Sequence, residues 1–441
     1  MRRLAALVSA LVPLLALTPA HAGSPQPFVT IRQGIDDPFA VVRQLSFSHT
    51  GRFVAFVSRV SLVGGDARGY PSVYVLDRET GQVTLESASS QGCQPGHACG
   101  TPRLSGDGRI LTFETSDDAP AGVPPHGIIV VKDRRTGAMR RIGPTPSGVG
   151  SMRDAAISAD GRVVTFSSSA ADLVPGTDAN GTSEDVYGLD LASNRLQRLS
   201  VDSAGHQPSA GASFAPSISG DGRYVAFSST APLDGTRPKA NGRPLVDVFL
   251  RDTRLQTTKR ISTRADGGMT NGSSYGAAIS EDGRFVALVS EASDLVKGDG
   301  NRASDVFVYD LRHGSMALVS RGTGGRPANG ASSQPAISAD GGVIIFQSDA
   351  SDLMCGAQCP AAARDINLVA DVFAADRESG AIWRVSTGRT PWMEASMAPA
   401  IDGSGTVVAF SSRHACDGQD EGDDFDLFVG GISLPSIVAR K

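Results

Sequence analysis

Acidic and amide side chains recur at similar spacings in three loops of this sequence. Each loop reads D-x-N with a further Asp four or five residues on: Asp178, Asn180 and Asp185; Asp299, Asn301 and Asp305; Asp365, Asn367 and Asp371. Oxygen side chains at alternate positions of a tight loop are how proteins gather calcium. Asp and Asn also cap turns without metal, and the remaining ligands of an EF-hand loop are missing. The loops are calcium candidates, with turn capping as the favoured interpretation.

Three histidines lie in long connections between strand-like segments: His97, His206 and His414. They are the residues on which a His-based lyase or hydrolase would draw, provided that the fold brings them together. A G-x-S-x-G match at 272–276 lacks the strand-to-helix context of a nucleophile elbow. No P-loop, dinucleotide-binding or H-E-x-x-H motif is present. No linear motif therefore names a reaction.

Four of the five cysteines form two close pairs. Cys93 and Cys99 bracket CQPGHAC, and Cys355 and Cys359 bracket CGAQC. We predict a local disulfide within each pair, leaving Cys416 free or crosslinked to the second pair. A histidine lies inside the first pair and another lies near the fifth cysteine, which leaves a metal site as the alternative, although the C-x-x-C spacing is absent.

Residues 1–22 have the pattern of a signal peptide. Arg2 and Arg3 precede an apolar stretch from Leu4 to Leu17, and an A-x-A cleavage site ends at Ala22. The arginine pair resembles a twin-arginine signal, but an ordinary secretory signal has the same pair and is favoured. No other long apolar run follows, so we expect no membrane span and a periplasmic or secreted product.

One segment recurs seven times along the chain: a Ser, a tight turn with Asp-Gly-Arg or a variant of it, and an apolar run. The copies are FSHTGRFVAF at 47–56, LSGDGRILTF at 104–113, ISADGRVVTF at 157–166, ISGDGRYVAF at 218–227, ISEDGRFVAL at 279–288, ISADGGVIIF at 337–346 and IDGSGTVVAF at 401–410. Further strand-like segments follow each copy, so each unit predicts a four-stranded antiparallel meander. The fold class is all-β, a single propeller of seven four-stranded blades.

The predicted propeller domain spans 23–441 after the signal peptide. Its repeat units lie near 41–90, 100–145, 152–202, 214–264, 275–322, 333–388 and 396–441. The last unit lacks a clear fourth strand, and we expect the N-terminal segment 27–33 to complete it. The alternative is 432–438, but Pro435 disfavours a paired strand there.

Composition fits this architecture and gives no support to a nucleic acid as partner. The 441 residues include 51 Gly and 25 Pro, which suits short strands joined by turns. Lys and Arg total 41 against 46 Asp and Glu, a formal net charge of −5. Bulk charge therefore gives no support to nucleic-acid binding.

The lengths of the turns and loops between the predicted strands indicate that the two faces of the propeller differ. The Asp-Gly-Arg and Thr-Gly turns are tight and share one face, and the long loops share the other. We place the functional surface on the long-loop face. The acidic run 417–426 lies there; we interpret it as a solvated surface, with a cation site or a basic partner as the alternative.

The repeated S-x-D-G-R-x-V-A-F and D-V-F-V-x-D segments resemble the TolB-type, WD40-like propeller repeat of exported bacterial proteins. The resemblance covers nearly all of the mature chain and implies a periplasmic or secreted propeller that serves as a protein-binding platform. Residues 23–40 leave no room for the separate N-terminal α/β domain of TolB itself, and seven units exceed the six expected there. We therefore do not expect TolB proper.

Together these observations predict an exported, non-catalytic binding scaffold. It would be a monomer that binds a protein partner or an extracellular or cell-envelope ligand through its long-loop face, with no nucleic acid. The alternative is a propeller enzyme, a polysaccharide lyase or hydrolase with its site on the same face.

Overall fold

The computed structural model describes the chain in segments. These are residues 29–35, 45–59, 61–63, 70–88, 98–116, 127–143, 150–236, 239–240, 243–322, 324–354, 369–386, 395–412 and 425–432. All regular structure within them is β-strand. The signal-peptide prediction for 1–22 falls outside the described residues.

Seven four-stranded antiparallel sheets form the blades of a propeller. Numbered along the chain, the first strand is β1 (Val29–Ile35). Blade 1 contains β2 (Leu45–Phe47), β3 (Phe53–Ser58), β4 (Ser72–Asp77) and β5 (Gln82–Leu85). Blade 2 contains β6 (Cys99–Leu104), β7 (Ile110–Thr115), β8 (Ile128–Asp133) and β9 (Met139–Ile142). Blade 3 contains β10 (Met152–Ile157), β11 (Val163–Ser168), β12 (Asp185–Asp190) and β13 (Arg195–Arg198).

The remaining blades repeat this order. Blade 4 contains β14 (Ser213–Ile218), β15 (Tyr224–Ser229), β18 (Asp247–Asp252) and β19 (Thr257–Arg260), with a small hairpin of β16 (Lys239–Ala240) and β17 (Arg243–Pro244) in its long loop. Blade 5 contains β20 (Ser274–Ile279), β21 (Phe285–Ser290), β22 (Asp305–Asp310) and β23 (Ser315–Leu318). Blade 6 contains β24 (Ser332–Ile337), β25 (Val343–Ser348), β26 (Asp371–Asp376) and β27 (Ile382–Arg384). Blade 7 contains β28 (Ser396–Ile401), β29 (Val407–Ser412), β30 (Phe425–Gly431) and β1.

The N-terminal strand closes the ring. β1 pairs with β30 in antiparallel register, with Val29 opposite Val429 and Ile31 opposite Leu427. The predictions of seven blades and of closure by the N-terminal segment are confirmed. Closure covers the outer edge of β30, which would otherwise present unpaired backbone groups.

The core consists of seven apolar clusters, and each joins two neighbouring blades among the described residues. The cluster between blades 7 and 1 includes Phe56 and Tyr74 from blade 1 with Ala409 and Leu427 from blade 7. A blade is buried on both faces only when it has a neighbour on each side, so the ring is the unit of stability.

Local chemistry explains why the turns repeat. In blade 2, Ser105 Oγ donates to Asp107 Oδ1 at 2.6 Å, and the Asp107 carboxylate accepts the N–H of Arg109 at 2.9 Å. Gly108 has a φ of 69°, a left-handed conformation that glycine adopts without strain. Ser and Asp therefore order the turn by hydrogen bonds, and the left-handed position is glycine in all seven copies.

Deleting residues 24–35 is expected to lower the melting midpoint by about 5 °C or more, because it opens the ring at blade 7. Differential scanning calorimetry of the mature chain measures this. A deletion of 433–441 is the control, because it leaves both paired edges of β30 intact. An unchanged midpoint after the first deletion would contradict a stabilising role for closure.

Among the residues that the structure describes, no helix has the length and apolar character needed to cross a membrane.

Candidate functional site

The innermost strands of the blades surround the central axis. In six of them the third residue has a positive φ: Thr101, Asp154, Ala215, Gly276, Gln334 and Ala398. The strand register shifts at this position, so each residue lies in a β-bulge. Because the bulge is common to these blades, the positive φ belongs to the fold, and only the side chain at this position varies.

The axis is obstructed at the face of the tight turns. Neighbouring turns hydrogen-bond to one another, for example Gly106 N to Ala159 O at 2.8 Å and Gly220 N to Glu281 O at 2.8 Å. His49 Nδ1 of blade 1 lies 2.7 Å from Glu281 Oε2 of blade 5. These blades are not neighbours in the ring, so this contact crosses the axis. A ligand in the channel would therefore enter from the long-loop face.

Two carboxyl groups meet beside the axis between blades 2 and 3. Glu114 lies near the end of β7 and Asp154 lies in the bulge of β10, both on the long-loop side. Glu114 Oε1 accepts the N–H of Ala155 at 3.4 Å, and its carboxyl is hydrogen-bonded by the Thr101 side chain. We refer to Glu114 and Asp154 as the carboxyl pair.

The carboxyl pair has one member whose acidity is clearly altered. Burial and the neighbouring Asp154 carboxylate raise the pKa of Glu114 above its ordinary value. A carboxyl group with a raised pKa keeps its proton to higher pH than an ordinary one and can act as a general acid, and a nearby carboxylate can act as base or nucleophile. The arrangement is therefore suited to acid–base chemistry.

A partly exposed arginine lies beside the carboxyl pair. Arg153 Nη2 donates to Glu184 Oε2, and Arg153 Nε lies 3.8 Å from Asp154 Oδ2. About half of the Arg153 side chain is exposed. The pair is thus bordered by a cation that an incoming ligand can reach.

Sequence reasoning missed the carboxyl pair, although a signal for it exists. The fifth residue of the second strand is small, apolar or amide in the other blades, for example Ser167, Ser228 and Val289, and it is Glu only at position 114. The bulge position likewise carries a charge only at Asp154 among the blades in which it is described. A charged residue at an otherwise uncharged repeat position is the signal that motif searches overlook.

The structure brings together the predicted loop residues of blade 3, and protein groups fill the space between them. Arg198 Nη2 donates to Asp178 Oδ2 at 3.0 Å, and its Nε lies 3.1 Å from Asp185 Oδ2. Gln207 Nε2 lies within 2.8 Å of oxygen atoms of Asp178, Asn180 and Asp185. A guanidinium and an amide thus fill this loop from within: Arg198 supplies a positive charge and Gln207 supplies hydrogen-bond donors.

The corresponding loop of blade 5 lacks such a filling. Asn301 Nδ2 donates to Asp305 Oδ2 at 2.6 Å, and Ser320 Oγ donates to Asp305 Oδ1 at 2.6 Å. Asp299 Oδ1 is buried and has no hydrogen-bond partner in the part of the chain that the structure describes. Burial raises the pKa of Asp305 to about 6.

In blade 6 only Asp371 of the predicted set is described. It accepts a hydrogen bond from Ser386 and lies 3.5 Å from Arg384 Nη1, while Asp365 and Asn367 fall outside the described residues. Among the described residues no group of three His, Cys, Asp or Glu side chains is arranged to hold a metal ion. Calcium binding by any of the three loops stays a prediction.

The predicted histidines and cysteines are only partly described. His206 is largely exposed, and its Nδ1 lies 3.2 Å from Asp202. His97, His414 and the acidic run 417–424 fall outside the described residues, so their convergence stays a prediction. Cys99 is disulfide-bonded. The other four cysteines are not described, and the two predicted pairings stay predictions.

Solved structures with the same fold match nearly the whole chain. An oligogalacturonate lyase in complex with manganese has a TM-score of 0.55 at 15% identity and covers 94% of this chain and 99% of its own. An oligogalacturonate lyase from Vibrio parahaemolyticus has a TM-score of 0.54 at 14% identity, with coverages of 92% and 97%. The β-propeller domain of the trilobed protease from Pyrococcus furiosus has a TM-score of 0.53 at 13% identity, with coverages of 88% and 92%. No family model and no curated protein matches the chain.

TolB structures are also among the propellers that match. A putative TolB from Agrobacterium tumefaciens has a TM-score of 0.41 at 15% identity, covering 67% of this chain and 89% of that one. No family model shows the TolB-type repeat in this chain, so membership of that repeat family stays a prediction.

The prediction of a non-catalytic scaffold is wrong. The propellers that match more than nine-tenths of this chain include an enzyme, oligogalacturonate lyase. The comparisons favour the enzyme alternative over the scaffold. At these identities the matches establish the shared fold, and the activity of this chain has to be argued from its own residues.

Proposed function

We propose that this protein is a polysaccharide-cleaving enzyme, a lyase or hydrolase, whose site is the carboxyl pair in the central channel. The observation that carries the proposal is the position of the carboxyl pair between blades 2 and 3, where Glu114 Oε1 accepts the N–H of Ala155 next to Asp154, beside a channel obstructed at its other face. Burial and Asp154 raise the pKa of Glu114, which supports it. A carboxyl group with a raised pKa beside a second carboxyl group is typical of acid–base sites. The shared fold of oligogalacturonate lyase supports the proposal at the level of architecture.

The carboxyl pair can serve either way of breaking a glycosidic bond. In hydrolysis, Glu114 gives its proton to the leaving oxygen while Asp154 activates water or attacks the sugar carbon. In elimination, Asp154 removes the proton next to the carboxylate of a uronic acid, and Glu114 protonates the leaving oxygen. Both steps use a proton donor and an acceptor on the same wall, and the products differ.

The proposal also includes the cellular location of the protein and its repeat family. The signal-like segment 1–22 supports a periplasmic or secreted location, where polysaccharides are met. The repeated Asp-Gly-Arg turns support descent from the TolB-type repeat. Sequencing the N-terminus of the exported protein tests the first of these, and cleavage after Ala22 is expected.

The decisive experiment incubates the mature chain with a panel of acidic and neutral polysaccharides. New reducing ends report cleavage, and ultraviolet absorbance of an unsaturated sugar end distinguishes elimination from hydrolysis. We expect wild type to cleave at least one polysaccharide and a folded Glu114→Gln, Asp154→Asn double variant to cleave none. Glu291→Gln is the matched control, because Glu291 is an exposed carboxylate on the same face. Equal activity of wild type and double variant, or no cleavage of any glycan in the panel, would overturn the proposal.

A further inference from the structure

A second concave site lies on blade 5, away from the carboxyl pair. It is a cavity of about 830 Å³ bordered by the end of the outermost strand β23 and by two loops of the long-loop face. A volume of this size is within the range of small-molecule sites. Its apolar side is formed by Val296, Met316, Leu318 and Pro327.

Comparison with blade 3 explains why the cavity exists. Leu318 occupies the register position of Arg198, since Arg198 lies opposite Tyr187 and Leu318 lies opposite Phe307. The following turns are also equivalent, because the N–H of Asp202 bonds His206 O and the N–H of Gly322 bonds Arg326 O.

Pro327 therefore takes the place of Gln207. The two side chains that fill the acidic loop of blade 3 are shorter and apolar in blade 5, and both replacements line the cavity. The open space is thus a property of this blade's own sequence.

The charged side chains that line the cavity are mostly positive. Lys297, Arg321 and Arg326 line it, are exposed and form no ion pair with any residue that the structure describes. Asp299 is the single carboxylate of the lining, and burial raises its pKa. Arg321 Nε donates to Leu318 O at 2.8 Å, which leaves its two Nη groups for a ligand. Cations that form no ion pair around a concave site attract a negatively charged ligand.

We propose that this cavity is a binding site for an acidic saccharide. The two arginines would bind the sugar carboxylate, for which a guanidinium offers paired donors. Asp299 would accept a hydrogen bond from a sugar hydroxyl group, which satisfies its buried Oδ1 atom, an atom that has no hydrogen-bond partner among the described residues. Met316 and Leu318 offer an apolar surface to a sugar ring.

This inference rests on the proposed function and adds the substrate class to it. The cavity is on the outermost strand of blade 5, whereas the carboxyl pair borders the axis between blades 2 and 3. Binding of a long acidic glycan in the blade 5 cavity would raise the effective concentration of its free end at the channel. Short substrates would not gain from the second site.

Calorimetric titration with trigalacturonate, and with cellotriose as its neutral counterpart, tests the proposal. The experiment uses the full mature chain carrying Glu114→Gln and Asp154→Asn, so that no bond is cleaved. We expect the acidic trisaccharide to bind at the blade 5 cavity and cellotriose to bind at least about tenfold more weakly. Added salt should weaken the binding.

Two independent variants assign the binding to the cavity. Replacing Arg321 and Arg326 by Ala removes the anchors, and Leu318→Arg fills the cavity with the side chain that blade 3 carries. Each is expected to remove one binding event for trigalacturonate. Arg312→Ala is the control, because Arg312 is an exposed arginine on the opposite face of the same blade.

The possible failures are distinguishable. If both variants bind trigalacturonate with unchanged affinity and stoichiometry, the second site is wrong while the proposed function stands. If the site binds trigalacturonate but wild type cleaves no glycan, the proposed function fails and the site stands. If inorganic phosphate binds as tightly as trigalacturonate, or if calcium binds there and Asp299→Asn abolishes it, the acidic-saccharide assignment is overturned.

Discussion

Glu114→Gln is expected to reduce glycan cleavage about 10²- to 10⁴-fold, the range that a positioned general acid contributes. Gln keeps the shape of Glu and can still accept the hydrogen bond from Ala155 N–H. It cannot give a proton to the leaving oxygen, so the loss should appear in kcat with little change in KM. Steady-state kinetics on the substrate identified in the panel measures it.

The same role of Glu114 predicts how the rate of cleavage changes with pH. Because burial and Asp154 raise the pKa of Glu114, the protonated, active form persists to higher pH than an ordinary carboxyl would allow. The wild-type rate should fall as the pH rises through the pKa of Glu114, and Glu114→Gln should lose this alkaline limb.

We expect the control variant Glu291→Gln to keep the wild-type rate and the fall of the rate at alkaline pH. A Glu114→Gln variant that melts like wild type and retains full activity would remove Glu114 from the mechanism.

Arg198→Leu is expected to destabilise the protein by about 3 to 5 kcal/mol, the cost of removing one partner of a buried ion pair. Asp178 and Asp185 are almost fully buried around Arg198, and their side chains are 4% and 3% exposed. Without the guanidinium these two carboxylates face each other with only Gln207 between them. Urea denaturation at neutral pH measures the difference in the free energy of unfolding.

The pH changes the size of that loss. Burial already raises the pKa of Asp185 to about 6, and removing Arg198 raises it further, so protonation relieves the repulsion. The loss should therefore be smaller at pH 5 than at pH 8. Arg195→Leu, an exposed arginine at the start of the same strand, should cost less than about 0.5 kcal/mol. A loss below about 1 kcal/mol for Arg198→Leu at pH 8 would show that the ion pairs of Arg198 with Asp178 and Asp185 add little to the free energy of unfolding.

The sequence by itself determined the propeller. Each turn is specified by its own residues, as Ser105, Asp107 and Gly108 show, and a local signal that repeats seven times predicts seven equal units. Short continuous apolar runs, such as FVAFV at the start of β3, indicated the strands, because each blade packs on both sides. Closure by β1 followed from counting strands, since the last unit lacked one.

The candidate sites depended on the tertiary structure. Glu114 and Ala155 are 41 positions apart and come into contact only because blade 2 packs on blade 3. No linear pattern encodes the distance between neighbouring blades, so the carboxyl pair was not predicted. The loops of blades 3 and 5 look alike in sequence, yet one contains a guanidinium and the other borders a cavity. That difference depends on Arg198 and Leu318, which lie outside the repeated loop and reach it only through the pairing of neighbouring strands.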